Sequence, residues 1–181
     1  MEANIYKKMV PNVGIFIQIV SAETTWPLRH QVLRPGLPLE QVKYPEDRHE
    51  NTKHFAIFIS EKKRENPIGI LSIYQEKLKL DGNVIIEKSI IDKVTWRLRG
   101  MAIEPTFQKN NFGTLLLNAC YEYLLKHTQQ PTGLWCNARS SVASYYLKNG
   151  FQIIGKEFDL PDIGPHFVMI NLNPIPKGPP M

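Results

Sequence analysis

Cysteine is scarce in this chain of 181 residues, occurring only as Cys120 and Cys136. The two form no Cys-x-x-Cys pair, so neither a disulfide framework nor a zinc site is indicated. Cys120 falls in an apolar helical stripe and Cys136 in an apolar strand, surroundings that suit buried, inert thiols. The histidines at 30, 49, 54, 127 and 166 are scattered without metal-ligand spacing, and no metal is expected. No apolar run reaches the roughly 18 residues of a membrane span. Met1 to Lys8 lack the apolar block and small-residue cleavage site of a secretory signal, so a cytoplasmic location without a membrane partner is expected. Dense Lys/Arg runs are absent, as is the interleaving of aromatic and basic residues found in RNA-reading sheets. Nucleic acid is therefore not an expected partner, although the net charge of +5 suits a polyphosphate or an acidic small molecule.

The length suits one domain with a sizeable core. Residues 1–13 read as a loose arm, 14–173 as the domain, and 174–181 as a Pro-rich flexible tail. Ile15 to Val20 is β-branched and apolar, a strand. Thr24-Thr25-Trp26-Pro27 opens a helix with Pro27 near its first position, and Pro35-Gly36 ends it. Residues 37–53 are polar and irregular, long enough for a functional loop. His54–Ile59 and Ile68–Tyr74 should pair as a hairpin. Leu78 to Val94 reads as an insertion in which Asp81-Gly82-Asn83 is a turn and Val84-Ile85-Ile86 extends a hairpin.

Strand Trp96 to Ile103 leads through an amide-rich loop into the clearest periodic element. Phe112, Leu115, Leu116, Ala119, Cys120, Tyr123 and Leu124 recur at helical spacing, with Thr114, Asn118, Glu122 and Lys126 elsewhere on the helix and mostly facing solvent. Gly133 to Ala138 is a strand, Ser140 or Ser141 caps a short helix, and Gly150 supplies its left-handed stop. Phe151 to Gly155, continuing toward Phe158, is a strand. Pro161 to Pro165 is a rigid connection, and His166 to Leu172 is the last strand. The alternation predicts an α/β fold with a mixed, largely antiparallel sheet flanked by helices and at least two parallel pairings in the C-terminal half.

The loop itself carries chemistry. Gln108, Asn111 and Gly113 fit the spacing Gln/Arg-x-x-Gly/Asn-x-Gly/Ala, and Asn tolerates the left-handed backbone that Gly adopts there. A loop at a helix N-terminus presents unpaired N–H groups and a positive dipole end to phosphate. This resembles the acetyl-CoA pyrophosphate loop of the GNAT superfamily of N-acetyltransferases. Leu28 to Pro35, Leu98 to Ala102, Leu134 to Arg139 and Gly164-Pro165-His166 are together similar to glyphosate N-acetyltransferase and its relatives, over about Ile15 to Leu172. The likeness fades in the N-terminal arm, around Lys43 to Lys53, and from Leu78 to Lys93.

The resemblance implies an N-acetyltransferase with acetyl-CoA as cofactor and a small anionic amine as acceptor. It implies that Arg34, Arg99 and Arg139 bind the acceptor, with His166 as base and Tyr146 as donor to the thiolate. It implies that the strand backbone of Met101, Ala102 and Ile103 pairs with the pantetheine arm. Gln108, Lys109, Asn110, Asn111, Phe112, Gly113 and Thr114 would surround the pyrophosphate. These roles are chemically coherent. An acceptor ammonium must lose a proton before it attacks a thioester, and histidine, with an ordinary pKa near 6.5, is the side chain suited to take it at neutral pH. A tyrosine hydroxyl can assist the departing thiolate, and guanidinium groups grip carboxylate or phosphonate bidentately. Strand alternation puts Arg97 on the face of Arg99, which makes it a further acceptor-side candidate. The alternatives are a peptide or polyamine acceptor, which an arginine trio opposes in the polyamine case, and a CoA-binding sensor without turnover. A monomer or homodimer is expected.

Overall fold

The computed structural model describes residues 7–10, 14–59, 66–78, 86–128 and 132–176. In chain order these form β1 (Lys7–Val10), β2 (Ile15–Val20), α1 (Ala22–Leu33), β3 (Lys53–Ile59), β4 (Gly69–Gln75), α2 (Lys88–Ile91) and β5 (Val94–Ile103). Then come α3 (Phe112–His127), β6 (Gly133–Arg139), α4 (Ala143–Lys148), β7 (Gln152–Leu160) and β8 (Gly164–Asn171). The chain groups into two compact units, Met1–Tyr74 with Gly100–Glu122 and Pro176–Met181, and Gln75–Arg99 with Tyr123–Ile175.

In the first unit β1, β2, β3 and β4 pair successively antiparallel. The hairpin of β3 and β4 is the one the sequence indicates. Lys7–Val10 forms an edge strand against β2 rather than part of a loose arm; four residues are too few to leave a periodic signal. Phe16 stands directly opposite Phe58, and their rings stack with centroids 5.3 Å apart. Helix α1 lays Leu28 on Ala56, Phe58, Ile70 and Ala102, with Val32 and Leu33 beside it. It begins at Ala22, so Pro27 lies inside the helix and not at its start. The carbonyl that Pro27 leaves without a donor belongs to the exposed Glu23, where water can serve it.

Ile103 and Leu116 press on Gly69, where a Cβ would lie 2.6 Å from Ile103 Cδ1. Leu116, Leu117, Ala119, Cys120 and Tyr121 of α3 are all buried, and so is Asn118, which the helical pattern had placed outside the stripe. The helix is covered on more than one face, so its burial is broader than an amphipathic surface helix would show.

In the second unit β5 and β6 are parallel, β6 and β8 antiparallel, and β8 and β7 antiparallel. The second parallel pairing is therefore absent among the described residues: β8 lies between β6 and β7. The reason is local. Ile163 N–H donates to Leu160 O at 3.0 Å, closing β7 and β8 into a hairpin, so the expected rigid connection is only a tight turn. Leu78, Val94, Trp135, Ile154 and Ile170 form the core, with Ile86, Ile90, Val168 and Leu172 packed against it. In the segment read as an insertion, Leu78 donates a backbone hydrogen bond to Val94, as Glu76 just before it does to Thr95, and Lys88–Ile91 is a single helical turn. The proposed turn at 81–83 and residues 84–85 lie outside the described residues, as does the tail from 177.

Candidate active site

The loop before α3 is built largely from its own amide side chains. Gln108 Nε2 donates to Ile103 O at 3.0 Å, and Asn110 Nδ2 donates to Gln108 O at 3.0 Å. Asn111 has φ 60, the left-handed conformation its sequence position demanded, and Lys109 adopts φ 63 as well. Leu115 N–H donates to Asn111 O at 3.1 Å, so the N–H groups of Phe112, Gly113 and Thr114 precede the intrahelical ladder. Gln108, Lys109, Asn110 and Asn111 are exposed. With the Gln108 and Asn110 side chains turned back onto the loop at the N-terminus of α3, these residues fit a pyrophosphate. Met101, Ala102 and Ile103 belong to the same unit, at the C-terminal end of β5, with Ala102 buried.

The second unit holds Arg99, Arg139, Tyr146 and His166; Arg34 lies in the first. Arg139 and His166 are directly opposite one another across β6 and β8, and Phe158 is opposite His166 on β7. Side chains so paired share a face at close range. His166 is buried, and its Nδ1 lies 2.7 Å from Gly164 O. A carbonyl only accepts, so Nδ1 carries the hydrogen and Nε2 of the neutral ring keeps its lone pair. Tyr146 is buried with its ring edge-on to Phe151 at 5.2 Å and to Tyr145 at 5.3 Å. The ring is thus a core element with a fixed orientation.

The ladder between β5 and β6 comprises Val94 with Gly133, Trp96 with Leu134, and Arg97 with Trp135. No pairing of Arg99 with β6 follows among the described residues. Arg97 is committed elsewhere: Nη1 donates to Glu76 Oε2 at 3.0 Å, and the guanidinium sits 4.4 Å from the Trp135 ring centroid. Arg34 caps α1, its N–H donating to His30 O at 3.1 Å and its Nη1 to Leu33 O at 2.8 Å.

A buried polar network escaped the sequence reading. Arg29 donates from Nη1 to Val42 O at 2.6 Å and to Asp47 Oδ2 at 2.8 Å, and from Nη2 to Ser72 Oγ at 3.0 Å. Asp47 Oδ2 also accepts from Trp26 Nε1 at 2.9 Å and from Tyr44 N at 3.0 Å. His54 Nε2 donates to Asp47 O at 2.9 Å, which leaves Nδ1 to accept from Ser72 Oγ at 2.7 Å. Burial chiefly holds the His54 pKa below its ordinary value. The network pins the two turns Leu39–Val42 and Pro45–Arg48 to α1, giving order to a stretch that read as irregular. The available signal was Ala22, Thr25 and Arg29 on one helix face, all buried. Both cysteines are buried and burial pushes their thiols up, so the expectation of inert thiols fits.

A mixed sheet flanked by helices, with a left-handed loop leading into α3, is the arrangement expected of an acetyltransferase fold. The family model described as the acetyltransferase (GNAT) family matches residues 22–151, and the chain belongs to that family. It is 33% identical over 153 residues to the uncharacterized N-acetyltransferase YitI of Bacillus subtilis (strain 168), covering 84% of this chain and 93% of that one. The fold is similar to Arabidopsis thaliana NAA60 in complex with acetyl-CoA, at TM-score 0.65 and 11% identity over 86% of this chain and 97% of that one. It is also similar to FeeM, an N-acyl amino acid synthase from uncultured soil microbes, at TM-score 0.60 and 14% identity, covering 94% and 90%. The protein is an N-acetyltransferase whose cofactor is acetyl-CoA. Among the described residues no helix is long and apolar enough to cross a membrane.

Proposed function

We propose that this enzyme acetylates the amine of a small anionic acceptor, of amino acid or phosphono amino acid type, by direct transfer in a ternary complex. The observation that carries the reading is the pairing of Arg139 with His166, whose Nδ1 is held by Gly164 O. An anion-binding guanidinium thus neighbours an imidazole nitrogen that keeps its lone pair. Arg139, with Arg34 and Arg99, binds the acceptor's anionic groups. His166 Nε2 takes the ammonium proton, and the freed nitrogen pair forms the N–C bond as the C–S bond breaks. Tyr146 donates its hydroxyl proton toward the departing sulfur and is reprotonated by the second proton that the nitrogen sheds as the amide forms. Met101–Ile103 and the loop from Gln108 to Thr114 hold the cofactor by backbone groups, with Lys109 adding charge. The enzyme acts in the cytoplasm as a monomer or homodimer.

The test is thiol release from acetyl-CoA with phosphono amino acids, dicarboxylic amino acids, neutral amino acids and polyamines. Turnover is expected with the anionic amines. His166→Ala should lower kcat by about a hundredfold or more, and Arg139→Ala should raise the acceptor KM. Tight CoA binding without turnover on any amine would instead make the protein a CoA sensor.

A further inference from the structure

On β6, Trp135, Asn137 and Arg139 alternate onto one face of the strand, while Cys136 and Ala138 take the other. The two flanking side chains have partners or a clear role on that face. Trp135 packs in the core and donates from Nε1 to Glu76 O at 2.9 Å, and Arg139 stands opposite His166. Asn137 differs. Its Oδ1 is buried and has no hydrogen-bond partner. Across the ladder it faces Val168, and beyond that Ile154, neither of which offers a side-chain donor. A buried amide oxygen left without a donor is costly, and its place on the strand face shared with Arg139 points to a donor supplied by a ligand.

We infer that Asn137 is a specificity-determining residue whose Oδ1 accepts a hydrogen bond from the acceptor's amine. The inference rests on the acceptor proposed above. One N–H of the bound ammonium meets His166 Nε2 and a second meets Asn137 Oδ1, while the anionic end lies on Arg139. Loss of the first proton to His166 then exposes the nitrogen lone pair, with the second N–H still anchored. Asn137 moves no proton; it fixes the direction in which the lone pair points.

Ser140 Oγ, three residues further on, is also buried without a partner. A water bridging the two oxygens is the competing explanation, and it makes Asn137 a purely structural residue.

The experiment measures aspartate and phosphonoalanine as acceptors for the wild-type enzyme, Asn137→Ala and Asn137→Asp. Succinate and phosphonopropionate serve as competitive inhibitors that keep the anions and lack the amine. Asn137→Ala should raise the acceptor KM by about tenfold or more. Inhibition by the amine-free analogues, the KM for acetyl-CoA and the Tm should stay near wild type. Asn137→Asp keeps an accepting oxygen and should recover most of the acceptor KM. Its negative charge should also hold the ammonium proton, moving the acid limb of the kcat/KM profile to higher pH. An unchanged acceptor KM in Asn137→Ala would overturn the inference. Equal weakening of acceptors and amine-free analogues would also overturn it, in favour of the structural water. A wild-type enzyme inactive on both acceptors would instead remove the acceptor reading, and this inference with it.

Discussion

Arg29 Nη1 lies 2.8 Å from Asp47 Oδ2, with no solvent-accessible surface left on the arginine. The guanidinium also lies 4.2 Å from the Tyr44 ring centroid. Removing one member of such a pair strands the other charge away from water. Asp47→Ala should therefore cost about 3–5 kcal/mol of stability, read from urea denaturation. Asp47→Asn, which keeps an accepting oxygen, should cost less.

His54 gives the same network a pH dependence. Its folded-state pKa is lowered from the ordinary 6.5, mainly by burial. The unfolded chain therefore binds the proton more readily than the folded one. Stability from the neutral ring is fully present above pH 6.5 and declines as the pH falls below it toward the folded value. The unfolding free energy followed from pH 8 to pH 5 should drop on the acid side (about one histidine proton's worth). In His54→Gln that segment of the slope should flatten. An identical slope in both proteins would assign the effect to other groups.

Gly100 lies within β5 at φ +64, and a Cβ there would lie 2.8 Å from Arg29 Nε. Gly100→Ala combines a disfavoured backbone with a clash against a buried charged group. A loss of at least about 1–2 kcal/mol is expected from the backbone alone. Thermal unfolding measures it, and a neutral result would mean that β5 relaxes at this point.

Asn111→Gly should leave acetyl-CoA binding near wild type, because glycine adopts φ 60 freely. Asn111→Val should weaken it, since a β-branched residue resists that conformation by roughly 1–2 kcal/mol. Calorimetric titration with CoA separates the two variants. Equal affinities would show that the loop's backbone geometry does not govern binding.

The sequence was most informative where one short-range rule dominates. The left-handed Asn111, the α3 stripe and the terminating Gly150, with φ +89, each follow from a local constraint. It was least informative where partners are distant along the chain. Nothing near Arg29 announces that Asp47 and Ser72 will meet its terminal nitrogens, so it resembles any solvated helix charge. The insertion of β8 between β6 and β7 depends on the β7–β8 hairpin turn, which the pattern of alternating elements does not encode. Arg97 was legible as sharing a strand face with Arg99, but its engagement by Glu76 and Trp135 was not.

Within the stretch from 39 to 48, Val42, Tyr44 and Asp47 point inward, while Glu40, Gln41, Lys43 and Arg48 face water. The exposed pairs Lys43 with Glu40 and Arg48 with Glu23 contribute little to stability. Three anchors thus hold a ribbon whose remaining positions are open to drift. Evolution, or a mutant library confined to 40, 41, 43 and 48, can rewrite this surface while the scaffold beneath stays intact.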